Sequence, residues 1–225
     1  MKRFLFLLSN SLLLTGLAHA QVGVRAGTNL LRFNTNSVDG ARTTTSGKLG
    51  YQVGVYYQQP LTKHLSLVPE VQYSREQTQV NFEAYRNAEN YTRGSYDLRL
   101  AYVHVPVLLR YTLGRVHFDA GPQASLLVGG HGIGQSNTLI GGDGRADRAI
   151  DQAATDRFRR FSLGASVGVG VRLPAGLGLD VRAYQGITYM NQSIDPERSG
   201  AIPYWGGNLR RQTLQASLTY QLASR

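Results

Sequence analysis

Four residues in the middle of the chain, His104, His117, Asp119 and Ser125, are the side-chain types of a hydrolase. Such a set works only when nucleophile, base and orienting acid form one hydrogen-bonded chain that a substrate can reach. Here the local alternation turns all four to one side, and His117 and Asp119 lie at the opposite end of a segment from Ser125. The expectation is a non-enzymatic protein. The same side collects Arg25, Glu70, Arg110, Arg172, Asp180 and Arg182, so the whole group reads as one polar network of cations facing carboxylates. Across tight connections Arg110 is expected diagonal to Asp119, and Arg172 diagonal to Asp180. The glycine-rich stretch from Gly129 to Arg157 lacks the strand-before, helix-after context of a phosphate cradle, and reads as a flexible surface loop. Asp143 and Asp147 within it offer too few oxygen ligands for calcium. With no Cys anywhere, thiolate metal sites and cysteine nucleophiles are excluded, and neither metal nor cofactor is expected.

A third group is basic and points the other way. Arg32, Lys48, Arg75, Arg93, Arg99, Arg157, Arg159, Arg160, Arg210 and Arg211 fall at one end of the alternating segments, against Lys63 and Arg115 at the other. By parity Arg32, Arg75, Arg93, Arg99, Arg157, Arg159 and Arg210 face outward, with Glu76, Asp97 and Asp156 nearby as partial counter-charge. Arginine forks match phosphate oxygens, so outer-membrane lipid and lipopolysaccharide are the expected partners of this rim. A ring of charges is a poor nucleic-acid footprint.

These side chains are positioned by eight segments in which apolar residues recur every second position, the strand period. They begin with Val22–Arg32 and Lys48–Gln58, and continue with runs centred on Val71, Val105, Ala120, Val167, Val181 and Leu218. The opposite parity carries the charges and many glycines, which leave room for long side chains. Connections at Gln59–His64, Thr112–Arg115 and Pro174–Gly176 are tight, and the four others are long. Strict short–long alternation, with aromatics at segment ends (Tyr51, Tyr57, Tyr111, Phe118, Tyr220), is the pattern of a transmembrane barrel with short periplasmic turns and four long extracellular loops. Eight strands leave an interior just wide enough for side chains, which predicts a closed, self-neutralising lumen. A helical stretch is expected only at Asp147–Arg159, as a turn at the rim.

The composition agrees: 17% charged residues, 26 Gly and 13 Tyr in 225 residues, with a formal charge of +10, suit neither disorder nor an ordinary soluble surface. Lys2 and Arg3, the apolar run Phe4–Leu17 and the closing Ala18-His19-Ala20 form a secretory signal, which divides the chain into a signal peptide, 1–20, and a barrel domain, 21–225.

Residues Ala101-Tyr102-Val103-His104-Val105-Pro106-Val107-Leu108-Leu109-Arg110-Tyr111, followed by Phe118-Asp119-Ala120-Gly121-Pro122 and preceded by Pro69-Glu70-Val71-Gln72-Tyr73-Ser74, resemble the PorT-like outer-membrane β-barrel family, also described as porin-family barrels. The resemblance implies fold and location, the outer membrane of a Gram-negative bacterium, and no single activity. His104 stands where the family often has an acid. The chain ends Tyr220-Gln221-Leu222-Ala223-Ser224-Arg225 without a terminal aromatic, so the barrel assembly machinery would have to read Tyr220. The expected fold class is all-β, an eight-stranded antiparallel up-and-down transmembrane barrel with both termini periplasmic. The expected role is structural or binding, through extracellular loops that can also engage a protein partner. The alternatives are a narrow solute channel, a secreted soluble ligand-binding barrel and a lipid-modifying enzyme.

Overall fold

A computed structural model describes residues 21–34, 41–87, 90–141, 144–153, 155, 158–190 and 209–222. They form nine antiparallel strands: β1 (Gln21–Asn34), β2 (Ala41–Pro60), β3 (Leu65–Asn87), β4 (Asn90–Leu113), β5 (Val116–Ile140), β6 (Gly144–Ala153), β7 (Phe161–Arg172), β8 (Leu177–Gly186) and β9 (Arg210–Gln221). Consecutive strands pair except β6 and β7, each of which pairs with β5, and β1 pairs with β9. The sheet therefore closes on itself, which leaves no open edge around the ring.

Nine strands fill eight places. The first half of β5, Val116–Leu126, pairs with β7, while its second half, His131–Ile140, pairs with β6. Strands β6 and β7 thus occupy one position in succession, and the wall is the expected eight-stranded up-and-down ring.

The tight connections fall where the alternation breaks. Gly114, at φ +59°, supplies the positive φ that the two-residue link between β4 and β5 needs. A single 3₁₀ turn at Pro174–Gly176 joins β7 to β8. These links define a turn end of the barrel.

At the other end the expectation of long loops is corrected. β2, β3, β4 and β5 are 20, 23, 24 and 25 residues long against 10 to 12 for β7, β8 and β9. Most of what reads as loop between β1 and β2, β3 and β4, and β5 and β7 is strand. The helix expected at Asp147–Arg159 is absent from the described part of that stretch, where β6 runs instead, and the flexible loop expected from Gly129 is a paired hairpin. A neighbouring β5 edge with free hydrogen-bonding groups overrides weak local helix propensity. Of the β8–β9 connection, 187–190 is not strand, and 191–208 lies outside the described residues.

The two faces exchange character along the strands. Near the turn end the outward side chains are apolar, with Leu49, Val167, Val71 and Leu218 half or more exposed, while the inward ones are polar. No helix among the described residues is long and apolar enough to cross a bilayer, and this outward belt is the surface that meets lipid. Beyond Arg75 on β3 and Arg99 on β4 the pattern inverts. Gln77, Gln79 and Glu83 point out, while Val80, Phe82, Tyr96, Leu98 and Leu100 are buried inside, continuous with Leu31, Phe33, Ile150 and Met190. Above the belt the protein is built like a water-exposed sheet, apolar within and polar without.

Two β-bulges lie at the changeover. One falls between Lys48 and Tyr51 opposite β3, the other beside Ala101 and Tyr102, where Val128 is the extra residue of β5. An inserted residue flips the parity beyond it. Lys48, inward under strict alternation, is thereby turned outward, onto Asp97 at 2.6 Å.

Candidate functional site

Inside the belt two charge networks are stacked one above the other. The first is set by register. Arg110 on β4 lies directly opposite Asp119 on β5, not diagonal to it. Its Nε and Nη2 donate to the two carboxylate oxygens, both at 2.8 Å, the bidentate geometry that makes arginine–carboxylate pairs strong. Arg25 Nη1 donates to Glu70 Oε2 at 2.9 Å, and Arg182 Nη1 donates to the same oxygen at 3.1 Å. Arg182 Nη2 reaches Asp119 at 3.5 Å, joining the two pairs. Asp180 completes the set, 2.9 Å from His117 Nε2 and accepting from Thr219 Oγ1 at 3.1 Å, with Arg25 and Arg110 each at 3.7 Å.

All of these side chains are buried. Three arginines face three carboxylates, so the network is neutral without any added ion. Its glycine spaces are used: a Cβ on Gly170 would fall 2.5 Å from His117 Nε2, so the histidine rests against a wall position that has no side chain.

Arg172 departs from expectation. It is half-buried near the turn end and donates to Thr112 Oγ1 at 3.4 Å. Asp180 is taken by His117, Arg25 and Arg110, so the expected Arg172–Asp180 pair is not formed.

The second network contains two residues that the sequence reading placed at the rim. Glu76, expected as rim counter-charge, is wholly buried in the lumen, and Arg211 faces it from β9 at 3.2 Å. The Arg211 guanidinium is sandwiched between the Tyr102 and Tyr184 rings, 4.4 Å from each centroid, a desolvated cation–π arrangement. His104 links the parts, with Nδ1 2.8 Å from Ser125 Oγ and Nε2 2.7 Å from Ser74 Oγ and 3.4 Å from Glu76. Parity held the signal for both residues. Glu76 continues the inward run Glu70, Gln72, Ser74, and Arg211 adjoins the outward Arg210.

Ser125, His104 and Glu76 therefore resemble a nucleophile–base–acid row in connectivity. Ser125 Oγ also accepts from Arg211 Nη2 at 2.9 Å, and the His104 and Glu76 side chains have no solvent exposure. No substrate reaches them in this state, and no row forms with His117 and Asp119, which belong to the first network. The ligand atoms of His117, Asp119 and Asp180 lie within 4.8 Å of one another, as a metal site requires. The three arginines already neutralising those carboxylates oppose a further cation. Asp147 accepts from Asn137 Nδ2 at 2.6 Å on the hairpin. Asp143 lies outside the described residues.

On the outer face Arg32, Arg75, Arg99, Arg159 and Arg210 are exposed, close to where the belt ends. Arg93 is exposed too, but six residues beyond Arg99 on β4 and so about 20 Å farther along the strand, on the polar extension and not at the belt edge. Arg157 and Asp156 lie outside the described residues.

A closed ring with an apolar exterior, a neutralised polar interior and short turns at one end is a bilayer-spanning β-barrel. A family model, the outer membrane protein beta-barrel domain, matches residues 10–191, and the chain belongs to that family of outer-membrane proteins. Among solved structures it is similar to Ail, the attachment invasion locus protein of Yersinia pestis, in complex with the heparin analogue sucrose octasulfate. That likeness has 11% identity, covers 90% of this chain and 99% of that one, and has a TM-score of 0.45. Neisserial surface protein A follows at 14% identity, 90% and 99% coverage and TM-score 0.45. OprG from Pseudomonas aeruginosa gives 11%, 91% and 97%, and 0.45. No curated protein matches the sequence.

Proposed function

We propose that this outer-membrane barrel is a non-enzymatic, non-conducting protein that acts by binding at its outer surface, with the turn end and both termini in the periplasm and the tall wall of β2–β6 outside the cell. The observation that carries this reading is the filled lumen. Two paired charge networks lie below an apolar interior cluster, and eight strands leave little space beyond side chains. An ion following that path would have to break bidentate pairs and then cross buried leucines and aromatics, both strongly unfavourable. The full chain in planar bilayers should therefore show no sustained conductance. Reproducible ion steps that vanish in an Arg110→Gln or Arg182→Gln variant would establish a channel and end the closed-lumen reading.

The expected partners follow from the exterior. Arg32, Arg75, Arg99, Arg159 and Arg210 stand where an outer leaflet has its phosphates, which supports lipopolysaccharide as the lipid partner. A quadruple Arg32→Gln/Arg75→Gln/Arg99→Gln/Arg210→Gln variant should lose co-purifying lipopolysaccharide and its salt sensitivity while still folding in neutral detergent. The polar outer face of β3–β6 is the surface offered to a protein partner. The Tyr102-x-x-x-Pro106 strand supports a PorT-like subgroup within the family. Outward Tyr220 on β9 is the aromatic available to the assembly machinery.

A further inference from the structure

The arginine rim is uneven, and so is the belt beneath it. On β2–β4 the rim cation Lys48 is neutralised by Asp97. Among the described outward residues of β7, β8, β9 and β1 there is no carboxylate, and the only cations are Arg32 and Arg210. The two stand close together: Arg32 lies opposite Gln212, and Arg210 two residues farther along β9. Arg210 has a neutral partner, stacked 4.9 Å over the Tyr189 ring and donating to its hydroxyl at 3.1 Å. The stack fixes the guanidinium plane, and among the described residues no carboxylate pairs with it.

Directly below this pair the lipid-facing wall is recessed. A depression of about 550 Å³ has Arg32, Gln185 and Gln212 at its mouth and Ala165, Ala183 and Leu214 among its walls. A second, of about 670 Å³, lies farther toward the turn end, lined by Val169, Leu179 and Val181 as well as Ala26, Thr28 and Ala216. Small outward side chains also occur on β4 and β5, at Ala101, Ala120 and Ala124, but on this face Ala165, Ala183 and Ala216 adjoin the two depressions and let an apolar rod lie against the sheet. From Gln212 to Leu218 the two depressions together span about 20 Å along a strand. At a tilt of about 40° that is about 15 Å of depth, the hydrocarbon thickness of one leaflet.

We propose that the β7–β8–β9–β1 face is a lipid A site, holding one acyl chain of lipopolysaccharide in the groove and a glucosamine phosphate between Arg32 and Arg210. This rests on the lipopolysaccharide reading of the rim and narrows it to one sector. Charge and shape select the same occupant: a phosphate requires the unpaired cations, and a saturated chain requires the apolar recess beneath them. At the mouth Gln212 Nε2 donates to Gln185 Oε1 at 2.7 Å and Gln185 Nε2 to Gly186 O at 3.0 Å, and each amide retains its second N–H for a headgroup oxygen.

The test is native mass spectrometry of the full chain in detergent with bis-phosphorylated, hexa-acylated lipid A as the added probe. Ala165→Leu/Ala183→Leu fills the groove and leaves every charge in place. Arg32→Gln/Arg210→Gln removes the phosphate cradle, and Arg75→Gln/Arg99→Gln serves as the opposite-sector comparison. Folding of each is checked by its unboiled gel mobility, and Ala183→Leu alone replaces the double variant if that one does not fold. Loss of two charge-assisted contacts corresponds to at least about tenfold weaker retention. The groove and cradle variants should each show a loss of that order, and the opposite-sector variant should bind as the parent does. Full binding by the groove variant together with loss in the arginine variants overturns the groove and leaves the general rim reading standing. Full binding by every variant, including the quadruple rim variant, overturns both.

Discussion

Arg211 is the residue on which the upper lumen depends most heavily. It is a fully buried cation with one carboxylate, Glu76, two tyrosine faces and the Ser125 hydroxyl as partners. Removing one member of a buried pair leaves the other charge uncompensated, at a cost of about 3–5 kcal/mol, whereas replacing both with apolar groups is often neutral. Glu76→Gln should therefore lower unfolding stability in urea and lipid vesicles by that amount. Glu76→Leu/Arg211→Met should recover most of the loss. If the single variant is as stable as the parent, the pair is not the structural element described here. Ser125→Ala should be much milder, about 1 kcal/mol, because Arg211 keeps Glu76 and both rings.

The strands carry the division between lipid-facing belt and polar extension, and it can be tested strand by strand. Val167 is outward in the belt on β7, and Gln79 is outward on the extension of β3. Arginine at Val167 should cost about 2–4 kcal/mol if that position lies deep in the hydrocarbon. Arginine at Gln79 should stay within about 0.5 kcal/mol, as surface substitutions do. Equal costs at the two positions, measured by refolding into vesicles, would show that the outer face does not change solvent at the bulges. Much of this was legible from alternation alone, since β7, β8 and β9 alternate without interruption over their whole length. The extensions were not. A strand above the membrane has its apolar side inward, so its outward residues resemble loop: Arg75, Gln77 and Gln79 look like the start of a connection until a partner strand is known. The hairpin of β5 and β6 was missed for the same reason, because Gly144–Ala153 is polar, alanine-rich and short.

For the whole molecule, the proposed orientation rests on which end is taller. The chain lacks cysteine, so a single introduced thiol reports one side of the membrane. Arg145→Cys on β6 should react with an impermeant maleimide on intact cells, and Arg115→Cys in the β4–β5 turn should react only after lysis. The reverse pattern would invert the topology.

The ring itself, its eight places, the apolar belt and most of the lumen charges follow from the sequence by itself, because a strand puts successive side chains on opposite faces and a bilayer demands one apolar face throughout. Partnership did not. Arg110 meets Asp119 directly, Asp180 goes to His117 and not to Arg172, and Glu76 finds Arg211 from the far end of the chain. Those outcomes depend on register, and register depends on bulges and on closure of β1 against β9. The asymmetry that brings Arg32 and Arg210 together above a recessed face likewise exists only once the first and last strands lie side by side. Alternation is a local property of the chain, whereas which two alternating strands become neighbours, and at what offset, is decided by closing the barrel.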